Sequence, residues 1–253
     1  MSEIAIQASG LGKRYALAHE RGPRRAHAAI DRTLRNLFRG QAGAEAEHCW
    51  AVRDCSFTIG RGEVVALLGW NGAGKSVLLK ILARVTKPST GWAEIRGRLV
   101  SLLEVGSGFH PELTGRENIY LSAAILGVKR AAADRKFDEI VEFSEIGRFL
   151  DTPVRRYSSG MYMRLAFSVA WHLDADVMLI DEVLAVGDER FQNKCMDRIS
   201  SAAERGVTIL LVSHDMGTVG RLCQRGLYLE SGTIRYDGPV AGAIERYHRG
   251  EEE

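Results

Sequence analysis

Residues 69–76, GWNGAGKS, have the residue types and the spacing of a loop that holds phosphate groups. Glycines allow the backbone to turn its N–H groups around a β-phosphate, and the dipole of a following helix attracts the same anion. Lys75 would then reach the β- and γ-phosphates, while the Ser76 hydroxyl would take a position on Mg²⁺. The apolar run EVVALLG precedes the loop and helical periodicity follows it, so the context that such a loop requires is present.

Two acidic residues, Asp181 and Glu182, end the apolar run VMLIDE. Asp181 is a candidate for the Mg²⁺ shell, and Glu182 is placed to orient or deprotonate an attacking water. Two acids after a strand could instead simply cap the next element. His214 ends the run TILLVSH, where it could sense a γ-phosphate or its water. Because a lone histidine is often structural, both interpretations of His214 stay open.

A second stretch, YSSGM at 157–161, also has the composition of an anion site. It places two hydroxyls and a glycine ahead of the amphipathic run YMRLAFSVAWHL, as at the entry of a helix. One chain would therefore carry two sites suited to phosphate.

Several elements must position these residues. Residues 3–8 and 51–59 alternate between apolar and polar and predict strands. The runs DVMLID and TILLVSH are continuously apolar, as in central strands of a parallel sheet covered on both faces. A mostly helical stretch is predicted from about 112 to 150, and two short strands and a helix close the chain. This order indicates one α/β domain with a nested helical segment.

The region 16–48 interrupts this pattern as an insertion. Within it, Ile30, Leu34, Leu37 and Phe38 fall on one helical face, and Arg32, Arg35 and Arg39 fall on the opposite one. Two interpretations remain: a surface helix packed on its own domain, or a helix that meets a membrane surface or a membrane partner.

Composition excludes several classes of function. The net charge of the 253-residue chain is +2, so nothing global points to nucleic acid. Cys49, Cys55, Cys195 and Cys223 form no C-x-x-C pair, which argues against zinc and against a disulfide framework. We expect neither an export signal nor a membrane span, since no apolar run approaches roughly 18 residues.

Taken in order, residues 69–76, YSSGM, LIDE, LAVGD and VSHD match the Walker A, signature, Walker B, D-loop and H-switch motifs. The chain resembles the ATPase subunits of ABC transporters over essentially its whole length. The resemblance implies an α/β fold of the ABC-type P-loop ATPases, with a mostly parallel core sheet, an N-terminal antiparallel β subdomain and a helical subdomain nested at about 105–170. Residues 1–253 would form this single domain.

In that family, the signature caps the γ-phosphate bound by a second subunit, so the resemblance implies a homodimer with two ATP molecules and Mg²⁺. The nucleotide-binding residues would be Tyr15, Gly69, Trp70, Asn71, Gly72, Ala73, Gly74, Lys75, Ser76 and Val77. Trp50 is a rival to Tyr15 for stacking on adenine. The partner's nucleotide would be contacted by Ser158, Ser159, Gly160 and Met161, with Asp188 in the D-loop. Ser76 and Asp181 would bind the metal, and Glu182 and His214 would be catalytic.

Departures from the usual motif sequences narrow the resemblance to one group within the ABC transporter family. Tyr157, Ser159 and Met161 replace letters of the usual L-S-G-G-Q signature. The usual Q-loop glutamine is missing, and LLEVGSGFHPELTGREN occupies its place, with Glu104 as a candidate substitute. These features, with DEVLAVGDERFQNKC, resemble the ATP-binding subunits of exporters for bacterial surface polysaccharides: O-antigen and, more distantly, capsule and teichoic acid.

The expected function is ATP-driven export of a lipid-linked polysaccharide, most simply O-antigen, at the cytoplasmic face of the inner membrane. Two copies of this peripheral subunit would work under two copies of a polytopic membrane permease, which handles the glycan; no nucleic acid partner is expected. Only residues 237–253 follow the last predicted strand, so we expect no separate glycan-binding module. Teichoic acid, capsule or lipid as cargo, or a non-transport ABC ATPase, are the alternatives.

Overall fold

The structure is a computed structural model that describes residues 3–16, 48–104, 106, 108–172, 175–181 and 188–250. Most of the predicted insertion, including its two-faced helix, lies outside the described residues. Glu182 and the D-loop residues before Asp188 also lie outside them, as does the side chain of Glu104.

A small antiparallel sheet forms the N-terminal part of the chain. Its order is β2-β1-β4, with the strands β1 Ile4–Ala16, β2 His48–Gly60 and β4 Thr90–Ile95. The first strand is longer than the predicted 3–8, because it pairs with β2 from Ile4↔Gly60 to Ala16↔His48 and with β4 on its other side. The predicted antiparallel β subdomain is thus confirmed.

The larger sheet has the order β5-β6-β7-β3-β8-β9 and is parallel apart from its last strand. Its strands are β3 Val64–Leu68, β5 Leu99–Ser101, β6 Val177–Ile180, β7 Thr208–Leu211, β8 Arg225–Glu230 and β9 Thr233–Pro239. Every residue of β3, β6 and β7 is buried. These strands therefore read as continuous apolar runs, as predicted for strands covered on both faces.

Seven helices surround the sheets in the part of the chain that the structure describes. They are α1 Lys75–Leu82, α2 Gly115–Ile125, α3 Arg130–Ser144, α4 Ser159–His172, α5 Glu189–Glu204, α6 Met216–Leu222 and α7 Val240–Arg249. The helices α2, α3 and α4 pack on one another around a cluster of their own that includes Ile119, Ile140 and Leu165.

Strand β3 shows how the layers are assembled. Val65 and Leu67 point into one core with α1 and the antiparallel sheet, whereas Val64, Ala66 and Leu68 point into a second core with α5, α6 and α7. This two-residue alternation is the side-chain period of a strand, and here both faces are apolar because both faces are covered.

The three central strands β6, β7 and β3 are neighbours and run in the same direction. Their carboxyl ends therefore meet at one edge of the sheet, where open α/β sheets usually bind ligands. The phosphate loop leaves β3 at this edge, Asp181 follows β6, and His214 follows β7. Within the described residues, no helix combines the length and apolarity needed to cross a membrane.

Candidate nucleotide site

The phosphate loop is supported by two other parts of the chain. Gly74 has φ +104°, and a Cβ at this position would overlap the carbonyl oxygen of Ala51 in β2. Gly232, in the turn between β8 and β9, donates its N–H to the Ala73 carbonyl at 2.9 Å and accepts the Arg53 N–H at 2.7 Å. The loop conformation is therefore held between β2 and the β8–β9 hairpin before any nucleotide binds.

Lys75 is buried inside this loop. Its ammonium donates to the carbonyl oxygens of Gly69 at 2.6 Å and Trp70 at 3.2 Å, and the residue is only 7% exposed. The loop thus encloses the ammonium, whose charge can act on an anion with little water between them.

The start of α1 has the features of an anion site. Gly74 is the N-cap of α1 and has no side chain to accept the first N–H groups of the helix. A Cβ on Gly72, at φ +83°, would have no heavy atom within 4 Å among the described residues, so the loop leaves open space beside its backbone. A phosphate group fits there, where N–H groups, the helix dipole and the Lys75 charge converge. Ser76 is exposed at the same helix start, and the half-buried Val77 packs on the core.

Asp181 and His214 lie on neighbouring strands of the same edge. Val212 donates its N–H to the Ile180 carbonyl at 2.8 Å, so the chain segments that carry the two residues remain paired beyond the strands themselves. Asp181 is half-buried, whereas His214 is exposed and lines a groove of about 750 Å³ with residues of α5 and α6. Both residues are therefore at the edge that the phosphate loop occupies.

The two aromatic candidates for adenine project from opposite faces of the antiparallel sheet. Tyr15 pairs with Cys49 and Arg14 with Trp50, and paired residues share a face while adjacent ones do not. A Cβ on Gly12 would meet the Trp50 ring at 2.8 Å, so the indole lies against β1. Tyr15 is 45% exposed, with the Lys13 ammonium 5.3 Å from its ring centroid. The ring of Tyr15 is the more accessible of the two.

The signature residues form the exposed start of α4. The Ser158 hydroxyl accepts the Met161 N–H at 3.2 Å and so caps the helix, while Ser159 is exposed and Gly160 leaves space beside it. A groove of about 790 Å³ runs along Ser158, Ser159, Gly160 and Met161. Among the described residues that line it, none belongs to the phosphate loop.

Arg164 connects the signature helix to the D-loop. Its guanidinium donates to Asp188 at 2.6 Å and to Glu145 at 3.1 Å. Asp188 also accepts the Phe191 N–H and thereby caps α5; this hydrogen bond and Arg164 hold the pKa of Asp188 below its usual range. The sequence offered no signal for Arg164, because its partners lie 19 and 24 residues away.

Two tyrosines, Tyr157 within the signature and Tyr162 just after it, attach this turn to other segments of the chain. The Tyr157 hydroxyl donates to the Phe149 carbonyl at 2.8 Å, and burial raises the pKa of Tyr157. The Tyr162 hydroxyl donates to the Gly106 carbonyl at 2.6 Å, and the ring of Tyr162 meets Phe109 edge-on at 5.2 Å. The signature helix is therefore attached directly to the segment that occupies the place of the Q-loop.

The second half of this segment, residues 110–118, is held by one buried amide. Asn118 is 0% exposed; its Oδ1 accepts the His110 N–H at 2.7 Å, and its Nδ2 donates to the carbonyls of His110, Leu113 and Thr114. Thr114 and Glu117 form a capping box that starts α2. The loop is thus a defined surface feature.

Beside this loop lies an apolar groove of about 350 Å³ between β5, α2 and α4. Phe109, Leu126 and Ala170 contribute to its walls, and two of its lining residues, Ile125 at 61% and Val85 at 49%, are large exposed hydrophobic side chains. The groove and these two side chains are therefore a candidate contact surface for another molecule.

Comparison with known proteins decides the family. The model of the ABC transporter family matches residues 52–185. The chain is also 51% identical over 197 residues to the O-antigen export system ATP-binding protein RfbB of Klebsiella pneumoniae, covering 78% of this chain and 80% of that protein. The chain belongs to the ABC transporter family.

As an ABC transporter ATPase subunit, the chain binds and hydrolyses ATP. It is 37% identical to the teichoic acids export ATP-binding protein TagH of Enterococcus faecalis over 97% of this chain and 52% of that protein. A solved ATP-binding subunit of an ABC transporter shares the fold, with a TM-score of 0.76 at 21% identity, over 98% of this chain and 100% of the other. The predicted fold class and the resemblance to ATP-binding subunits of polysaccharide exporters are confirmed.

Proposed function

We propose that this ABC transporter subunit drives the export of a lipid-linked surface polysaccharide, most simply O-antigen, across the bacterial inner membrane. One structural observation carries the ATPase part of the proposal: the phosphate loop lies at the sheet edge, and among the described residues none from that loop lines the separate signature groove. The similarity to the O-antigen export protein supports the cargo.

The two separated sites support a homodimer. Arranged head to tail, the signature residues Ser158, Ser159, Gly160 and Met161 of one chain would face the nucleotide on the phosphate loop of the other. The dipole of α4 and the two exposed hydroxyls suit a γ-phosphate. ATP binding would close the dimer, and hydrolysis would reopen it.

Within each site, the chain's residues have distinct roles. Lys75 would leave the Gly69 and Trp70 carbonyls for the β- and γ-phosphates, and Tyr15 would stack on adenine. Ser76 and Asp181 are oxygen donors of the kind that Mg²⁺ prefers, with phosphates and water completing its shell. Glu182 would orient and deprotonate the attacking water, and His214 would contact the γ-phosphate.

The apolar groove beside Ile125 supports a membrane partner. We assign it to a cytoplasmic segment of a polytopic permease, two copies of which would cover the dimer and hold this subunit at the cytoplasmic face of the inner membrane. Tyr162 and Phe109 connect the wall of this groove to the signature helix. Closure at the signature would thereby move the permease. The insertion at 16–48 keeps its two interpretations, a surface helix or a membrane contact.

Deleting the gene and analysing the cell surface tests the cargo. We expect O-antigen to disappear from the surface and its lipid-linked form to accumulate inside, with restoration by the wild-type gene and not by Glu182→Gln. Loss of teichoic acid, capsule or a lipid would replace O-antigen as the cargo. An unchanged envelope together with a defect in DNA repair or translation would support a non-transport ATPase.

Replacing Ile125 tests the permease contact. Ile125→Asp should impair export and co-purification with a membrane protein, because a charge in the groove must be desolvated, while the ATPase activity of the isolated subunit is kept. Trp92→Asp is the matched control, since Trp92 is 48% exposed on β4 and does not line the groove. Equal export by the two variants would contradict the assignment.

A further inference from the structure

Beyond these motifs, the last helix contributes a side chain to the nucleotide edge. Tyr247, in α7, places its hydroxyl 2.8 Å from Nδ1 of His214, which follows β7. Tyr247 is only 7% exposed whereas His214 is exposed, so the hydrogen bond is shielded from water on the tyrosine side. His214 is therefore exposed to solvent and also hydrogen-bonded to a buried tyrosine.

The same tyrosine ring contacts the phosphate loop. The rings of Tyr247 and Trp70 are stacked, with centroids 5.1 Å apart and an interplanar angle of 3°. The Trp70 carbonyl accepts a hydrogen bond from the Lys75 ammonium, which is expected to bind phosphate. Tyr247 therefore contacts Trp70, a partner of Lys75, and is also hydrogen-bonded to His214. It therefore connects two parts of the site that are far apart in sequence.

Helix α7 is a firm support for this side chain. Ala243 packs so tightly on β8 that a Cβ on Gly226 would overlap it, and the Val240 N–H donates to the Gln224 carbonyl at 3.1 Å. A Cβ on Gly250 would likewise overlap the Trp70 indole. Because α7 is packed firmly on the sheet, the Tyr247 ring has little freedom to move with the His214 side chain.

We propose that Tyr247 is a positioning residue for His214: its hydroxyl donates to Nδ1, which keeps the proton of the neutral imidazole on Nε2 and aims that N–H at the γ-phosphate. A γ-phosphate accepts hydrogen bonds, so the imidazole nitrogen that meets it must carry a proton. Stacking on Trp70 then ties the orientation of the histidine to the conformation of the phosphate loop. The inference rests on the proposed role of His214 at the γ-phosphate.

Tyr247→Phe tests it, because phenylalanine keeps the ring stacked on Trp70 and removes only the hydroxyl. We expect kcat for ATP hydrolysis to fall roughly tenfold, the effect of losing about one hydrogen bond, while KM for ATP changes little. Tyr236→Phe is the matched control: its hydroxyl donates to the Pro239 carbonyl at 3.1 Å, beside the same helix and away from His214. Thermal unfolding should be similar for the two variants.

A double-mutant cycle separates this inference from the proposed function. We expect His214→Ala to lower kcat more than Tyr247→Phe, and the double variant to be no worse than His214→Ala alone. Normal turnover by His214→Ala would remove the proposed role of the histidine itself. An impaired His214→Ala with a normal Tyr247→Phe, or additive losses in the double variant, would overturn the positioning role alone.

The tautomer of His214 can be measured, and a change in packing alone would not alter it. In ¹⁵N NMR spectra, with His214 assigned by its absence in His214→Ala, we expect the neutral ring to carry its proton on Nε2 in the wild type. A mixture of tautomers should appear in Tyr247→Phe. A proton on Nδ1 in the wild type would make Tyr247 the acceptor and overturn the proposal.

Discussion

The phosphate loop and the signature turn both suit phosphate groups, yet they are built in opposite ways. Lys75 is buried among carbonyls of its own loop, and a Cβ on Gly74 would overlap the backbone of β2. At the signature, Ser158 and Ser159 are exposed, and a Cβ on Gly160 would meet only the Ser158 hydroxyl, at 3.9 Å, among the described residues.

The difference indicates where the partner of each site comes from. The loop obtains its shape from its own chain, because β2 and the β8–β9 hairpin contact it on either side. The signature turn has a fixed helix behind it and open space before it, as expected of a surface that another molecule completes. One chain therefore contains a phosphate loop that its own residues shape and a signature turn that faces open space.

Among these tests, removal of the buried Lys75 ammonium should have the largest effect on ATP turnover. Lys75→Ala should lower ATP turnover by about 10²–10³-fold, because a preorganised charge on the phosphates is lost. Lys80→Ala, on the exposed face of the same helix, is the matched control and should hydrolyse ATP normally. Comparable activity of the two variants in a steady-state ATPase assay would argue against the loop as the site.

Mixing two inactive variants tests whether the signature acts across chains. Ser159→Arg should remain folded and bind ATP as a monomer, yet fail to dimerise with ATP, because the bulky cation fills the exposed helix start. An equimolar mixture with Lys75→Ala should regain part of the activity, since about half of the dimers then pair an intact loop with an intact signature. A mixture as inactive as its components would contradict a site shared between subunits.

A pair of glycines sharpens the contrast between the two regions. Gly74→Ala should lower the free energy of unfolding by on the order of 1–3 kcal/mol and weaken ATP binding, because its φ of +104° and the Ala51 carbonyl both oppose a Cβ. Gly160→Ala should unfold like the wild type in urea and bind ATP, with loss only of ATP-driven dimerisation. Equal destabilisation by the two changes would show that the regions are similarly packed.

The far end of the signature helix should give the smallest effect, visible as a pH dependence. Burial, and then Arg198, holds the pKa of His172 below its usual 6.5; Nδ1 donates to the Ser168 carbonyl, and Nε2 accepts from Arg198 at 3.0 Å. Below pH 6.5 the unfolded chain thus binds a proton that the folded chain rejects, and stability should decrease as the pH falls towards the folded-state pKa.

Urea unfolding at pH 7.5 and 5.5 measures this dependence. His172→Gln should be less sensitive to pH than the wild type, since glutamine does not titrate. His48→Gln, at an exposed position on β2, should keep the wild-type dependence. A slope unchanged by His172→Gln would assign the pH dependence to other groups.

Much of the fold could be predicted, because its signals are local. Continuous apolar runs identified β6 and β7 through burial on both faces, and the glycines of the phosphate loop identified the turn between β3 and α1. The first strand was predicted too short, since the second half of β1 is held by pairing with β2 and β4 and not by an apolar pattern of its own. The roles of the candidate site residues, Glu182 included, and of the insertion stay predictions.

The sequence by itself determined the family and the order of the motifs, and it predicts the chemistry of the phosphate loop, because residue types at fixed short spacings carry that chemistry. Only the tertiary structure decided which distant side chains support these motifs: Arg164 on Asp188, Tyr162 on Gly106, and Tyr247 between Trp70 and His214. Such contacts join residues brought together by packing of separate helices and strands, and no local pattern encodes them.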